Sequence, residues 1–363
     1  MVQLHPTRPP GQAQGGHRLL AGRYEVLGEV ARGGCGAVYE AHDLLTGNLV
    51  AIKTLQPTPG AAGGGASSRS DQRYFDRASL ARFAREARVA AAIHHPNVCS
   101  VVDSGTLSDG SPFLAMERLY GETLRQHIAR VRALDPESAI EIAVQLLSGL
   151  DAAHELGIVH RDVKPENVFL VQPRQGSFPL VKILDFGMCR VGAPRRPVHK
   201  AQDPDFRDDK TLTRAGTVVG TPEYMAPEQA SGRRHFDLRI DLYAVGVLLY
   251  EALTGTRAFY GADPRAVLVN VLARQIPPVR AVRPDLPLAL DRIVARAIER
   301  DPRARYASAT EFQHDLLLAR TTIRRQRAAR IAAEQRLLQH LPDLGVGDAD
   351  EWEMPTRELR RSG

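Results

Sequence analysis

Tryptophan is nearly absent from this chain, with one residue in 363, and cysteine is scarce, with three. The cysteines, Cys35, Cys99 and Cys189, are odd in number and nowhere spaced C-x-x-C, which argues against a disulfide framework and a zinc site. Reduced thiols are expected. No apolar run approaches the roughly 18 residues that a membrane helix needs. Residues 1–22, opening "MVQLHPTRPPGQAQGG", lack the apolar segment and cleavage site of a secretory signal. Rich in Pro, Gly and Gln, they read as a disordered arm, and the expected address is cytoplasmic. Excess charge of one sign is modest over the chain as a whole. The formal net charge of +6 is sourced locally, because "RTTIRRQRAARIAAEQR" holds six arginines against one glutamate. A nucleic-acid role would have to explain that tail, and no recognition module precedes it, so nucleic acid is disfavoured as a partner. What the chain does have is 43% hydrophobic residues over a length sufficient for a sizeable core in one or two domains.

Residues 23–116 read as a β-rich region. "YEVLGEV", "AVYEAHD" and "LVAIKTL", separated by turn residues, predict an antiparallel meander, and "VCSVVDSG" and "PFLAMERL" add two further strands. Between them, residues 57–72 are too rich in Gly and Ser to bury anything and form a flexible insertion. "SLARFAREARVAAAI" predicts one amphipathic helix with Leu80, Phe83, Ala84 and Ala87 inward and Ser79 as its cap. The helical period dominates residues 117–319. There "DPESAIEIAVQLLSGLDAAHELG" has Asp135 as N-cap, Pro136 at the first position, Ile140, Val144 and Leu147 on one face, and Gly157 as the stop. "DLYAVGVLLYEALTG" is apolar nearly all round, the mark of a helix inside a large core. Residues 185–228 are long and irregular, which usually signals function, and 320–363 form a basic helical extension and tail.

Several motifs carry chemistry. "HRDVKPEN" concentrates Asp162, Lys164 and Asn167 in one turn restrained by Pro165. In isolation it is equally a solvated polar loop. "KILDFGMC" delivers Asp185 before Phe186 and Gly187, "VAIK" puts Lys53 in the third strand, and "FAREA" puts Glu86 on the helix. "MAPEQ" supplies Glu228, and "DLYAVG" supplies Asp241 and Gly246. "ARGGCGAVY" at residues 31–39 is a glycine-rich stretch that alone could be an ordinary turn.

With these motifs in one order from about Tyr24 to Leu318, the sequence closely resembles the eukaryotic-like, or Hanks-type, protein kinase family, in its bacterial serine/threonine branch. The resemblance implies an α+β, two-lobed fold with a small antiparallel β-sheet lobe carrying one helix and a larger, mainly helical lobe. It implies ATP and Mg²⁺ or Mn²⁺ in the cleft, and phosphoryl transfer to Ser/Thr hydroxyls of protein substrates. Such transfer needs cations to offset charge, oxygen ligands for metal, and a group that orients the acceptor hydroxyl. By the resemblance Asp162 is the base, Lys164 neutralises the γ phosphate, and Lys53, directed by Glu86, grips the α and β phosphates. Asn167 and Asp185 hold metal. The family's G-x-G-x-x-G-x-V maps onto Ala31, Gly33, Gly36 and Val38, so Val30, Ala31, Arg32, Gly33, Gly34, Cys35, Gly36, Ala37 and Val38 form the nucleotide loop, with alanine in place of its first glycine. Glu117 to Leu119 form the hinge behind a gatekeeper, Met116. Lys164 and Thr221 indicate serine or threonine as acceptor. Arg161 is the residue that a phosphate on the activation segment would meet, with Thr211, Thr213 and Thr217 as candidates, and Asp241 and a Glu228–Arg305 pair are structural. The alternative is a pseudokinase scaffold, which the presence of Lys53, Asp162, Asn167 and Asp185 together disfavours.

Overall fold

In the computed structural model, residues 3–4, 18–33, 36–55, 77–172, 178–186, 190–191, 222–232 and 237–339 are described. The meander consists of β1 (Gln3–Leu4), β2 (Leu19–Leu20), β3 (Tyr24–Gly33), β4 (Gly36–Asp43) and β5 (Leu49–Leu55), followed by β6 (Val101–Thr106) and β7 (Pro112–Glu117). The sheet order is β1-β3-β4-β5-β7-β6, with β2 paired to β3 and every neighbouring pair antiparallel. Period-two alternation divides its faces. Tyr24, Ala41, Val50, Ile52, Phe113 and Ala115 build one cluster, while Leu114 packs with Phe83 and Ala87 of α1 (Arg77–Ala92) in another. Lys53 lies opposite Leu114 in the β5–β7 ladder, so it shares the α1 face. A register slip of one residue would move the lysine to the other side.

The expected helix is present, with two corrections. Ser79 lies inside α1 rather than capping it, and its hydroxyl accepts from Arg82 Nη2 at 3.0 Å. Ala84 is exposed, while Glu86, Val89 and Ala90 are buried with Phe83 and Ala87. The inward stripe therefore runs along 83, 86, 87 and 90, the 3.6-residue period that carries Glu86 toward Lys53.

After β7 the chain continues through β8 (Gly121–Thr123), α2 (Leu124–Val131), α3 (Pro136–Glu155), β9 (Ile158–Val159), β10 (Val168–Val171), β11 (Leu180–Ile183) and β12 (Arg190–Val191). Helices α4 (Pro227–Ala230), α5 (Arg239–Thr254), α6 (Pro264–Ala273), α7 (Val279–Val282), α8 (Leu288–Ala297) and α9 (Ala309–Gln339) complete it. Asp135 caps α3, accepting from Glu137 N and Ser138 N at 3.1 and 3.0 Å, with Pro136 at the first helical position. Ile140 and Leu147 are buried as expected, whereas Val144 is half-buried. The apolar α5 is buried along nearly its whole length and packs on α3 and α8. Each large apolar side chain so enclosed contributes about 1.5–3 kcal/mol. Met1–Arg320 form one compact unit and Thr321–Gly363 a second. Among the described residues, no helix is long and apolar enough to cross a membrane.

Candidate active site

Because β5 and α1 share a face, Lys53 Nζ reaches Glu86 Oε1 at 2.7 Å, and it also contacts Asp185 Oδ1 from beyond β11. Two carboxylates thus share one ammonium. Burial works to lower the Lys53 pKa, but Asp185 and Glu86 raise it above the ordinary lysine value, so its charge is secure. Burial, reinforced by the negative charge of Asp185, pushes the Glu86 carboxyl up to about 8. Enclosure opposes charge on Asp185 too, but Lys53 beside it holds its pKa below the usual carboxylate range. The surroundings thus disfavour charge on Glu86 and favour it on Asp185. A group with a raised folded pKa adds stability that is present below its unfolded value and is lost as pH rises through the folded one. The stability that Glu86 contributes is therefore expected to fall between pH 4.5 and about 8. Melting temperatures of the nucleotide-free protein, compared across that window with those of Glu86→Gln, should show the slope only in the wild type.

Asp185 is one of four non-glycine residues with positive φ among the described residues, at 61°, and Arg161 is another, at 70°. The left-handed backbone costs a non-glycine residue about 1–2 kcal/mol, so it persists only where surroundings hold it. Arg161 is held by Asp241, a carboxylate buried in α5. Asp241 Oδ1 accepts from Arg161 N at 2.8 Å, and its Oδ2 accepts from His160 N at 2.9 Å and pairs with His154 Nε2 at 2.8 Å. Burial opposes its charge, but His154 keeps its pKa below the ordinary value. Asp241 therefore pins the loop that carries Asp162. Within that loop Lys164 Nζ donates to Asp162 Oδ2 at 2.6 Å, and Asn167 Nδ2 donates to Asp162 O at 2.8 Å and to its Oδ2 at 3.1 Å. The His160 ring meets that of the buried Phe186 at 4.7 Å in a tilted arrangement, the planes 59° apart. The ring thereby couples the loop to the residue after Asp185.

A hard divalent cation needs oxygen donors, and Asn167 and Asp185 can each offer one. The Asn167 amide nitrogen is spent on Asp162, which leaves its oxygen, and Asp185 is a half-exposed carboxylate. The pair fits a metal completed by other oxygens. Among the described residues, no cluster of three or more His, Cys, Asp or Glu could hold one alone.

The β3–β4 pairing ends with Gly33 opposite Gly36. A Cβ on Gly36 would stand 2.0 Å from Thr54 O, so glycine is required by the approach of β5 itself. Ala31 pairs with Val38 and is not among the residues with positive φ, so its methyl group is accommodated. Val30, Arg32, Ala37 and Val38 lie along the same two strands, with Arg32 tied to Glu29. Ala31→Gly is expected to leave apparent ATP affinity within about threefold, whereas Gly36→Ala should weaken it severely by displacing β5. Nucleotide titration of both variants checks this. Met116 and Glu117 end β7 and Leu119 follows, with Arg118 held by Glu40 at 2.7 Å.

Further out, Arg305 and Glu228 form a two-pronged pair at 2.7 and 2.8 Å. Arg125 of α2 joins Glu166 of the loop, Glu251 of α5 and Tyr224. Sequence patterns did not reveal the Arg125 node, and the resemblance marked Asp241 as structural without showing which backbone groups it holds. Gly34, Cys35, Gly187, Cys189, Thr211, Thr213, Thr217 and Thr221 lie outside the described residues. Cys99 is buried, and burial pushes its thiol up to about 12, which makes it unreactive.

The fold thus brings together a lysine held between two carboxylates and a loop in which Asp, Lys and Asn bond to one another. The model of the protein kinase domain matches residues 24–317, and the chain belongs to the protein kinase family, which uses ATP and a divalent metal. It is 38% identical over 330 residues to the serine/threonine-protein kinase pkn3 of Myxococcus xanthus, covering 90% of this chain and 55% of the relative. It is 35% identical to Pkn1 of the same organism, covering 88% and 42%. The chain thus spans about half the length of the curated relatives it matches. The crystal structure of the PknI kinase domain of Mycobacterium tuberculosis superposes with a TM-score of 0.60 at 26% identity, covering 85% of this chain and 100% of that one.

Proposed function

We propose that this chain is a serine/threonine protein kinase that transfers the γ-phosphoryl group of Mg-ATP to protein hydroxyls. The observation that carries this reading is the convergence on one cleft of the Lys53–Glu86–Asp185 trio and the Asp162–Lys164–Asn167 cluster. Lys53, kept charged by its two carboxylates, binds the α and β phosphates. Asp162 orients the acceptor hydroxyl and accepts its proton, and Lys164, 2.6 Å away, offsets charge on the group in transit. Magnesium, when bound, neutralises phosphate charge, and Asn167 and Asp185 are the residues that would hold it. The glycine loop from Val30 to Val38 covers the phosphates, and the backbone from Glu117 to Leu119 takes the adenine edge behind Met116.

Residues 23–116 then form the nucleotide lobe and 117–319 the substrate lobe, with residues 185–228 as the activation segment. Arg161 is the receptor for a phosphate on that segment, placed by autophosphorylation at Thr213 or Thr217. Incubating the purified chain with γ-labelled ATP, Mg²⁺ and a basic protein should label serine and threonine. Label on tyrosine alone, or none, would overturn the proposal. Phosphopeptide mapping of the chain itself tests the threonines, and unmodified Thr213 and Thr217 in an active preparation would rule them out.

A further inference from the structure

Three residues before Asp185, a second lysine is buried where the chemistry does not use it. Lys182 of β11 stands between the buried Val181 and Ile183 and is itself only 7% exposed. Its Nζ donates to Glu117 Oε1 at 2.7 Å and to Val98 O at 3.4 Å. The same Glu117 oxygen accepts from Ser100 N at 2.7 Å, and Glu117 N donates to Ser100 O at 3.0 Å. A strand position serving packing alone would hold an apolar residue like its neighbours. An ammonium taken out of water is tolerated only where a partner compensates it.

We propose that Lys182 is a positioning residue for nucleotide binding, holding the hinge at Glu117 in fixed relation to Asp185. This rests on the kinase reading above and deepens it. Two lysine–carboxylate pairs of opposite polarity meet here, one crossing between the lobes and one tying β11 to the hinge at the start of the larger lobe. Lys53 reaches down to Asp185, and Lys182 reaches up to Glu117. Both carboxylate-bearing ends concern the nucleotide, adenine at the hinge and phosphates at Asp185. The strand between them is firmly seated. Ile183 N donates to Asn97 O and Ile183 O accepts from Cys99 N, at 2.8 and 3.0 Å. Asn97 Nδ2 donates to Val181 O at 2.9 Å and to Gln145 Oε1 at 3.1 Å. Gly149 of α3 backs this junction with no room for a Cβ, which would stand 2.7 Å from Ile183 Cδ1. Lys182 extends that rigidity to the hinge side chain. A fixed span is felt equally by bound ATP and by the transition state, so losing the lysine weakens binding without slowing chemistry.

Steady-state kinetics with varied ATP should therefore show Lys182→Met raising KM about tenfold, the size of one charge-assisted hydrogen bond, with kcat within about threefold. Lys182→Arg should recover most of the loss. Glu117→Gln should raise KM by itself, and Lys182→Met/Glu117→Gln should be no worse than Lys182→Met, because both changes break one contact. An unchanged KM in a Lys182→Met protein that melts cooperatively, a matching fall in kcat, or additive effects would each overturn the proposal. Should Lys182→Met not fold, Glu117→Gln with unchanged KM overturns it as well. A wild-type protein that transfers no phosphoryl group overturns the kinase reading instead, and the same cycle is then read from Mg-ADP dissociation constants.

Discussion

Asp162→Asn is expected to lower kcat about a thousandfold while leaving the affinity for Mg-ATP and the melting temperature nearly unchanged. Asparagine keeps the shape of aspartate, and its amide oxygen can accept from Lys164 and Asn167 as Asp162 Oδ2 does now. Asn167 also donates to the Asp162 backbone carbonyl, which the substitution leaves in place. The loop stays anchored by Asp241 through the N–H groups of His160 and Arg161. What disappears is the proton acceptor. Kinetics with saturating ATP and a protein substrate, alongside thermal melts, separate these effects. A kcat within fivefold of wild type would remove Asp162 from the catalytic role, and a collapsed melting temperature would show that its charge holds the loop together.

The largest effect on stability is expected from Arg305→Met. Arg305 is 2% exposed and its partner Glu228 is 7% exposed. Removing the guanidinium strands a carboxylate in the interior, a change worth about 3–5 kcal/mol. It also deprives the carbonyls of Glu299, Arg239 and Arg300 of their donor. Urea denaturation should register the loss, and Arg305→Met/Glu228→Gln should recover part of it, because the second change removes the stranded charge. Arg330 and Glu334 make a contact of similar length, 2.9 Å, but are 82% and 58% exposed, and Arg330→Met is expected to change stability immeasurably. A loss below about 1 kcal/mol for Arg305→Met would mean that water reaches the pair. Because Glu228 lies in the first turn of α4, just after Pro222–Tyr224, activity should fall with stability in this variant alone of the two.

Much of this protein was legible in its sequence. Alternation of apolar residues marked β3, β4, β5 and β7, and a capping aspartate followed by proline marked the start of α3. These are local signals, carried by residues a few positions apart. Helix α1 was read less well. Its start lies two residues before Ser79, and Ala84 is small enough to stand on either face. Residue order also pointed to Lys53, Glu86, Asp162, Asn167 and Asp185 before any coordinates did, because each sits in a motif whose neighbours constrain it.

The sequence by itself determined the element types, the order of the two lobes and the identity of the charged residues in the cleft, since periodicity and motif order are written along the chain. Only the tertiary structure decided how those charges act. That the surroundings disfavour charge on Glu86 and favour it on Asp185, that Asp241 pins the loop carrying Asp162, and that Lys182 reaches Glu117 all depend on distances between residues far apart in sequence. Lys53 meets partners 33 and 132 positions away, and Lys182 meets one 65 positions away. Burial and Coulomb interaction vary with separation in space, and no local pattern encodes that separation.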